Sequence, residues 1–454
     1  MEKKIKITFY GGVGSPTGSN FMISDGITNI LVDCGLVQGK RVGEDTNRKD
    51  FAYVPNTIDA LFVTHSHVDH IGRIPKLVRD GFVGTIYSTP PTKEIGERML
   101  EDTLGILEGE AKDDNLPALY EKKDIEHSMR LWKGISYHEE IIVGKFKIRL
   151  KDSGHVLGSS FVECTYQGKQ ILFTGDIGNS PTPLLKDPES LNGTNYLVIE
   201  SVYGDRNHED RAIRKQIFEE SIKEAIKKRG ALIIPAFSLE RTQELLYELN
   251  DLVENKKISP IPIFIDSPLA IDITKIYKKY ENYFNETAQN IIKSGDDIFN
   301  FQGLHFTYTT EESKAINNAP NPKIIIAGSG MSNGGRVVHH EKRYLPDSNS
   351  TLLIIGYQAP GSLGRQLQDG AKNVTILGEE VMVRAKVKTI HGYSGHKDSE
   401  GLLDAVSEAR ESLKKVFVVL GEPKSALFFV QRVRDYLDID AIAPELGESV
   451  EIKV

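Results

Sequence analysis

The sequence predicts an α/β protein built from two domains. Over about the first 200 residues, apolar runs of strand length alternate with glycine-rich turns. From about residue 210 onward, strand patterns alternate with helical patterns, which is typical of a parallel sheet. Domains usually span about 50–250 residues, so a chain of 454 residues has room for two. We interpret the second stretch as an α/β domain inserted into the first.

The first stretch begins with a run over residues 1–9 that alternates like a strand. Each of the buried strands predicted after it closes on a polar residue, where strands of layered α/β folds deliver functional side chains. These strands are predicted at residues 29–35, 60–65, 170–176 and 196–200. Residues 92–133 are charged and follow a helical pattern.

The second stretch supplies helices and strands in alternation. Helices are predicted at residues 209–229 and 240–254. Apolar strands are predicted at residues 231–235, 261–266, 323–327 and 351–356. The order indicates a parallel sheet that belongs to a domain of its own.

Composition argues against several classes of protein. No run of about 18 apolar residues occurs, so a membrane span is not expected. No apolar segment follows the N-terminal lysines, so a signal peptide is not expected either. Cys34 and Cys164 are the only cysteines, which gives no disulfide framework and favours the reducing cytoplasm. The formal net charge of −8 argues mildly against nonspecific binding of nucleic acid.

The strongest chemical signal is His65-Ser66-His67-Val68-Asp69-His70, directly after a predicted strand. Three histidines and one aspartate fall within this short loop, and zinc binds imidazole nitrogen and carboxylate oxygen. The alternative is a polar loop with coincidental histidines. It is disfavoured because so many crowded polar groups would be costly without a metal.

Two more residues have the same setting, a glycine-rich turn after a strand: His155 and Asp176. Alone, each would more often be an ordinary turn residue, but with the loop they complete a two-metal set. We predict that His65, His67 and His155 hold one zinc. Asp69 and His70 hold the second, and Asp176 bridges the two. Asp33 is predicted to orient a histidine or the loop, unless it is a plain turn carboxylate.

In this order, the segments resemble the metallo-β-lactamase superfamily, which implies an αββα sandwich with a binuclear metal centre. Residues 200–204 (Glu-Ser-Val-Tyr-Gly) resemble motif A of the β-CASP nucleases. Residues 392–398 (Gly-Tyr-Ser-Gly-His-Lys-Asp) resemble their motif B. Segments 266–270 and 328–336 match the family as well. The chain looks close to bacterial and archaeal relatives of the catalytic subunit that cleaves mRNA for polyadenylation.

The resemblance implies how the chain is divided. Residues 1–207 are expected to form the first part of the metallo-β-lactamase domain. Residues 208–375 are expected to form the inserted β-CASP domain, and residues 376–454 to complete the first domain.

One position departs from the RNA-processing members. Their motif C ends a strand with histidine before Gly-Glu, whereas this chain has Leu420 before Gly421-Glu422. That histidine is normally a ligand of the second zinc, so the second site is expected to be weak, with one or two ions bound. DNA-processing members of the Artemis type also carry an apolar residue there, which keeps a DNA nuclease as an alternative.

The predicted chemistry is hydrolysis of a phosphodiester. Zinc lowers the pKa of water, so that hydroxide can attack phosphorus at neutral pH. His396 of motif B is the expected general acid, and Glu200 of motif A is expected to orient it. The alternatives are a loop histidine and a strand-end carboxylate. Asp69 and Asp33 are counted with this pair in the catalytic centre.

The glycine-rich loop at residues 328–336 is predicted to bind phosphate, since such loops form anion-binding nests. Ser329, Ser332 and Arg336 are the candidate contacts, and Arg365 is a weaker one. A base could stack on Tyr203, Phe237 or Tyr393. Aromatic residues beside strands are more often part of a core.

Three functions follow from these observations. The first is a ribonuclease that acts on single-stranded RNA in the cytoplasm, as an endonuclease or also as a 5′ exonuclease. The second is a DNA nuclease, and the third is a weakly active RNA-binding subunit. Leu420 motivates both of these alternatives. A homodimer is left open, and no membrane partner is expected.

Overall fold

The computed structural model describes residues 4–39, 46–208, 211–359 and 361–453, and the chain divides into two compact units. The first unit comprises Met1–Asn207 with Gly395–Val454, and the second comprises His208–Ser394. Parts of two predicted elements, residues 1–3 and 209–210, lie outside the described residues.

The first unit contains two sheets of seven strands each. In spatial order, one sheet consists of Ser449–Lys453, Lys4–Gly11, Asn20–Ser24, Asn29–Val32, Ala60–Phe62, Thr85–Ser88 and Trp132–Gly134. The other consists of Ala441–Ile442, Lys415–Val419, Tyr196–Glu200, Lys169–Phe173, Ser160–Tyr166, Phe146–Asp152 and Ile141–Val143.

The two sheets face each other across an apolar core to which both contribute. In the strand Lys4–Gly11, every second residue is apolar and points into this core. Phe9 packs against Phe417 of the other sheet, with ring centroids 5.5 Å apart. Phe21 packs against Phe173 in the same way, at 6.2 Å.

Helices cover the outer face of each sheet. The first sheet packs on Ile74–Arg79, Pro90–Asp113 and Lys122–Leu131 through a second apolar cluster. The second sheet packs on Ser399–Glu408 and Pro423–Leu437 through a third. The unit also contains the short helix Val68–Ile71 and the 3₁₀ turn Pro55–Thr57. The αββα order predicted from the resemblance is therefore confirmed.

The second unit is built on a six-stranded parallel sheet, as the alternation of elements predicted. Its spatial order is Leu304–Phe306, Ile263–Asp266, Lys323–Ala327, Ala231–Pro235, Thr351–Ile355 and Lys386–Ile390. Strands Asn373–Ile376 and Glu379–Met382 form a separate antiparallel hairpin.

The described helices of this unit surround the sheet or connect its strands. The α-helices are Arg211–Lys228, Arg241–Glu254, Pro268–Lys279, Glu286–Lys293, Thr310–Ala315, Val337–Tyr344 and Leu363–Gln368. The 3₁₀ turns are Glu281–Tyr283, Ile316–Asn318 and His391–Tyr393. None of the helices in the described part of the chain combines the length and the apolar character that a membrane crossing needs.

The second unit ends later than the domain boundary drawn from the sequence. The strand Lys386–Ile390 pairs in parallel with Thr351–Ile355, so it belongs to the second unit's sheet. The compact unit therefore runs to Ser394, beyond residue 375. The assignment of residues 1–207, 208–375 and 376–454 to named domains stays a prediction.

Candidate metal centre

The histidine motif lies in the turn that follows the buried strand Ala60–Phe62. His67 has an extended backbone (φ −65°, ψ 147°) and is the last residue before the helix Val68–Ile71. Asp69 and His70 lie on that helix. The motif thus has an extended half and a helical half, which lets its side chains serve two neighbouring positions.

The side chains of His65, His67, His155 and Asp176 converge, and their potential ligand atoms all lie within 4.8 Å of one another. Oδ2 of Asp176 lies 3.3 Å from Nε2 of His65 and 3.4 Å from Nε2 of His155. Nδ1 of His67 lies 3.0 Å from Nε2 of His65. The structure therefore brings together the four residues that the sequence assigned to the first ion or to the bridge.

Close contact between two turns carries His155 and Asp176 into this cluster. A Cβ atom at Gly178 would lie 1.9 Å from the carbonyl oxygen of Gly154, so a larger residue would push the turns apart. The backbone amide of Gly178 also donates to the carbonyl of Ser153, at 2.8 Å. Glycine at 178 is thus a packing requirement of the centre.

The predicted second set, His70 and Asp69 with Asp176, lies beside the first. Nε2 of His70 is 3.5 Å from Oδ1 of Asp176 and 3.8 Å from Oδ2 of Asp69. This nitrogen is buried, and among the described residues it has no hydrogen-bond partner. A buried imidazole nitrogen without a partner is costly unless a ligand completes it. The residues present therefore fit a metal ion.

Asp33 contacts His70, and its role as a supporting carboxylate stays a prediction. It is fully buried, and its Oδ2 lies 2.7 Å from Nδ1 of His70. Ser19 donates to the same oxygen at 2.9 Å. Nδ1 of His70 is thereby engaged, so Nε2 is the nitrogen turned towards Asp176.

Thr64 is a supporting residue that the sequence analysis missed. Its backbone amide donates to Oδ1 of Asp33 at 2.8 Å, and its hydroxyl donates to Oδ2 at 2.9 Å. The hydroxyl also lies 3.1 Å from Nδ1 of His65. The sequence did contain a signal for this role, because Thr64 is a polar residue directly before the histidine motif.

Two histidines of the cluster, His67 and His155, are in the uncharged form that binds metal. Burial, together with neighbouring imidazoles, holds the pKa of His67 and of His155 well below the usual value, so both rings are neutral. Burial would also lower the pKa of His70, but the carboxylates of Asp176 and Asp33 outweigh burial and raise it. Neutral imidazole is the form that binds metal. A divalent cation would balance the carboxylates in place of the proton on His70.

Glu200 and His396 form a second group beside Asp176. Nδ1 of His396 lies 3.1 Å from Oε2 of Glu200, which is fully buried. Burial alone would lower the pKa of His396, but the charges of Glu200 and Asp176 outweigh it and raise the pKa to about 9. The raised pKa favours the protonated form of His396, and the structure brings this residue together with Glu200 as the motifs predicted.

Leu420 lies in the apolar core between the two sheets of the first unit. It is buried, and a Cβ atom added at Gly12 would meet its Cδ2 at 2.7 Å. Its side chain offers no metal ligand, so the predicted second set consists of Asp69, His70 and Asp176, and metal binding by this set stays a prediction.

In the second unit, two of the three predicted phosphate contacts have side-chain partners within the protein. The buried hydroxyl of Ser332 donates to Glu341. Nη1 of Arg336 donates to Oδ1 of Asp266 at 2.8 Å. Ser329 is half-buried. Binding of phosphate by these three residues stays a prediction.

The weaker candidates differ in exposure. Phe237 is exposed, whereas Tyr393 is buried with its hydroxyl on Glu248. The ring of Tyr203 lies 6.1 Å from the ring of His396. Arg365 is paired with Asp369 at 2.9 Å.

Three family descriptions match successive parts of the chain. Residues 16–236 match the metallo-beta-lactamase superfamily, and residues 242–367 match the Beta-Casp domain. Residues 380–444 match the Zn-dependent metallo-hydrolase RNA specificity domain. Together with the fold and the histidine–aspartate cluster, they define a metal-dependent hydrolase.

Similar proteins agree with that class. Ribonuclease TTHA0252 of Thermus thermophilus is 34% identical over 93% of this chain and 94% of its own length. The RNase J-like protein of Methanocaldococcus jannaschii is 32% identical over 99% of this chain and 100% of its own. Transcription termination factor FttA of Methanosarcina mazei is 29% identical over 99% of this chain and 72% of its own. The chain belongs to the β-CASP family of the metallo-β-lactamase superfamily, as the motifs predicted.

A solved structure shares the fold at low sequence identity. The crystal structure of a protein of unknown function from Enterococcus faecalis V583 superposes with a TM-score of 0.60 and 14% identity. It covers 99% of this chain and 100% of its own chain.

Proposed function

We propose that this protein is a zinc-dependent ribonuclease that hydrolyses phosphodiester bonds in single-stranded RNA. We propose endonucleolytic cleavage as its main mode, with 5′ exonuclease action as a second. The observation that carries the proposal is the pairing of His396 with the buried Glu200 beside a cluster of side chains that could bind metal. Relatives named as a ribonuclease and as an RNase J-like protein over nearly the whole chain support RNA as the substrate.

The donor set supports zinc as the metal. His65, His67 and His155 would hold one ion through imidazole nitrogen, which zinc favours. Asp69 and His70 would hold the second, with Asp176 shared between the two sets. When bound, the metal would lower the pKa of water, so that hydroxide is available to attack phosphorus at neutral pH. It would also stabilise negative charge on the phosphate oxygens.

The two ions are proposed to differ in affinity. The first has three histidines and the shared Asp176, while the second has two ligands and the same shared carboxylate. Leu420 stands where the RNA-processing members supply one more histidine. The second ion is therefore expected to dissociate first.

His396 would protonate the leaving oxygen. Its Nδ1 faces Glu200, so a proton on Nε2 is the one directed to substrate. The buried carboxylate of Glu200 stabilises the charged imidazolium and fixes the orientation of the ring. After transfer, the same carboxylate favours uptake of a new proton by His396.

The experiment compares His396→Ala with the wild-type protein on matched single strands of RNA and DNA. We expect RNA turnover to fall by roughly 10²–10⁴-fold, the usual contribution of a general acid. RNA affinity should change little, because Glu200 and the metal ligands remain. His127→Ala, at an exposed histidine of the same unit, is the control and should retain wild-type turnover and affinity.

Two results would contradict the proposal. Equal losses of turnover and affinity in His396→Ala would remove this residue from proton transfer. Faster cleavage of DNA than of RNA by the wild-type protein would favour the DNA nuclease that Leu420 suggests.

We also propose that the protein acts in the cytoplasm, since Cys34 and Cys164 are both buried and unpaired with each other.

A homodimer remains part of the proposal. Exposed Leu427, Phe428 and Tyr436 on the helix Pro423–Leu437 support an interface there.

A further inference from the structure

An open cavity of about 610 Å³ lies in the second unit, between the helices Thr310–Ala315 and Val337–Tyr344. Its lining is rich in cationic and imidazole side chains, and none of the residues that line it is acidic. The basic residues are Lys314, Arg336, Lys342 and Arg343, with His339 and His340. A basic cavity is notable on a chain whose net charge is −8.

Two of the four cations are already compensated. Arg336 is paired with the buried Asp266 at 2.8 Å, and Lys342 is paired with Glu379 at 2.6 Å. Lys314 and Arg343 are exposed, and neither forms an ion pair with a residue in the described ranges. The cavity therefore has an excess of positive charge that a bound anion would neutralise.

A second feature points to a ligand that also carries hydrogen-bond donors. Oδ1 of Asn317, on the cavity wall, is buried and has no hydrogen-bond partner among the described residues. A bare anion cannot satisfy this acceptor, whereas a ribose hydroxyl or a base amine can.

We propose that this cavity binds ribonucleotide phosphate, with Lys314 and Arg343 on the phosphate and Asn317 on a ribose or base donor. The ribonucleotide is a segment of an RNA chain, or else a free mononucleotide with the same chemistry. The assignment of RNA rests on the proposed function, but the site lies wholly in the second unit and contains no proposed metal ligand.

The test is the double variant Lys314→Ala/Arg343→Ala. Its matched control is Lys256→Ala/Lys293→Ala, which removes two exposed positive charges from the same unit outside the cavity. Both pairs are made in the His396→Ala background so that RNA is not consumed. Fluorescence anisotropy with a labelled single-stranded RNA, and calorimetric titration with adenosine monophosphate, give the affinities. Lys314→Gln/Arg343→Gln serves as a second charge-neutral pair.

We expect the cavity variant to bind RNA roughly tenfold more weakly than the control does. The slope of log affinity against log salt should fall by about 1.4, since each phosphate contact to a single strand contributes about 0.7. Wild-type RNA affinity with lost binding of adenosine monophosphate would assign the site to a free nucleotide. If both affinities match those of the control, the proposal is overturned.

A failure of the proposed cavity site can be distinguished from a failure of the proposed nuclease function. A wild-type protein that binds RNA through Lys314 and Arg343 but does not cleave it would remove the nuclease proposal and keep this site. A wild-type protein that cleaves RNA, with a cavity variant equal to the control in both titrations, would do the reverse.

Discussion

Both units contain a buried histidine held by an aspartate near the end of a parallel strand. In the first unit, His70 lies 2.7 Å from Asp33, which directly follows the strand Asn29–Val32. In the second, His340 lies 2.7 Å from Asp266, the last residue of its strand. The two pairs have the same chemistry and the same distance, so these features alone do not mark a functional site.

The two pairs differ in what lies around them. Nε2 of His70 is buried without a hydrogen bond from the described residues, and it faces Asp176. Asp266 instead accepts hydrogen bonds from four side chains of its own unit: Thr307, Ser313, Arg336 and His340. Burial would raise the pKa of Asp266, but these donors outweigh it and lower the pKa to about 2. The first arrangement is incomplete without a ligand, whereas the second is internally satisfied.

The largest expected effect follows from replacing Asp176, the carboxylate that both predicted metal sets share. We expect Asp176→Ala to lose bound metal and to reduce RNA cleavage by roughly 10³-fold, because several kcal/mol of electrostatic stabilisation are lost. Mass spectrometry of metal content and a cleavage assay measure the two effects. Asp114→Asn, at an exposed position of the same unit, is the control. Wild-type metal content in a folded Asp176→Ala protein would contradict the conclusion that this arrangement is completed by a metal ligand.

The next effect concerns the satisfied cluster. Asp266→Asn should lower the free energy of unfolding of the second unit by roughly 3–5 kcal/mol, because it leaves the partly buried guanidinium of Arg336 without its counter-charge. Hydrogen exchange of peptides from the strands Ile263–Asp266 and Lys323–Ala327 reports on that unit alone. Metal content should stay at the wild-type level.

Asp272→Asn, at a half-buried position of the same unit, provides the matched change for this experiment. It weakens a surface pair with Lys275, which is worth about 0–1 kcal/mol, and a long hydrogen bond of 3.4 Å from the hydroxyl of Tyr308. If these peptides are equally protected from hydrogen exchange in the two variants, the Asp266 cluster does not stabilise the second unit.

The smallest effect comes from Glu341, a buried carboxyl of the second unit. Burial raises its pKa to about 8, although the hydroxyl of Ser332 donates to it and acts in the opposite direction. A carboxyl whose pKa is higher in the folded state binds its proton more tightly there. Its contribution to stability is therefore present at low pH and is lost as the pH rises through about 8.

We expect the second unit to lose roughly 1–3 kcal/mol of stability as the pH rises from about 5 to about 9, the usual cost of an unsatisfied buried group. Glu341→Gln should flatten this dependence, and hydrogen exchange across that pH range measures it. Glu379→Gln, at an exposed glutamate, should leave the dependence as it is in the wild type. An unchanged slope in Glu341→Gln would show that another group titrates.

Much of the metal centre could be predicted because its signal is local. Three histidines and an aspartate within the loop at residues 65–70 carry the chemistry in one short segment. His155 and Asp176 follow strands in glycine-rich turns, so the expected edge of the sheet already placed them together. The same holds for the strand Tyr196–Glu200, which ends at Glu200 as predicted.

Other features depend on partners that are distant in the chain. Arg336 looked available for phosphate in a glycine-rich loop, but Asp266, 70 positions earlier, engages it. Tertiary folding also decided that the strand Lys386–Ile390 joins the second unit, because strand pairing is a long-range choice.

The sequence by itself determined the α/β class, the ligand-bearing turns and the residue types that suit zinc, since periodicity and side-chain chemistry are local properties. Only the tertiary structure decided which polar atoms remain without partners. Lys314 and Arg343 lie on different helices and meet at one cavity, and Nε2 of His70 meets Asp176 across the sheet edge. Hydrogen-bond satisfaction is a property of the whole fold, because each donor and acceptor is completed by whatever distant segment packs against it.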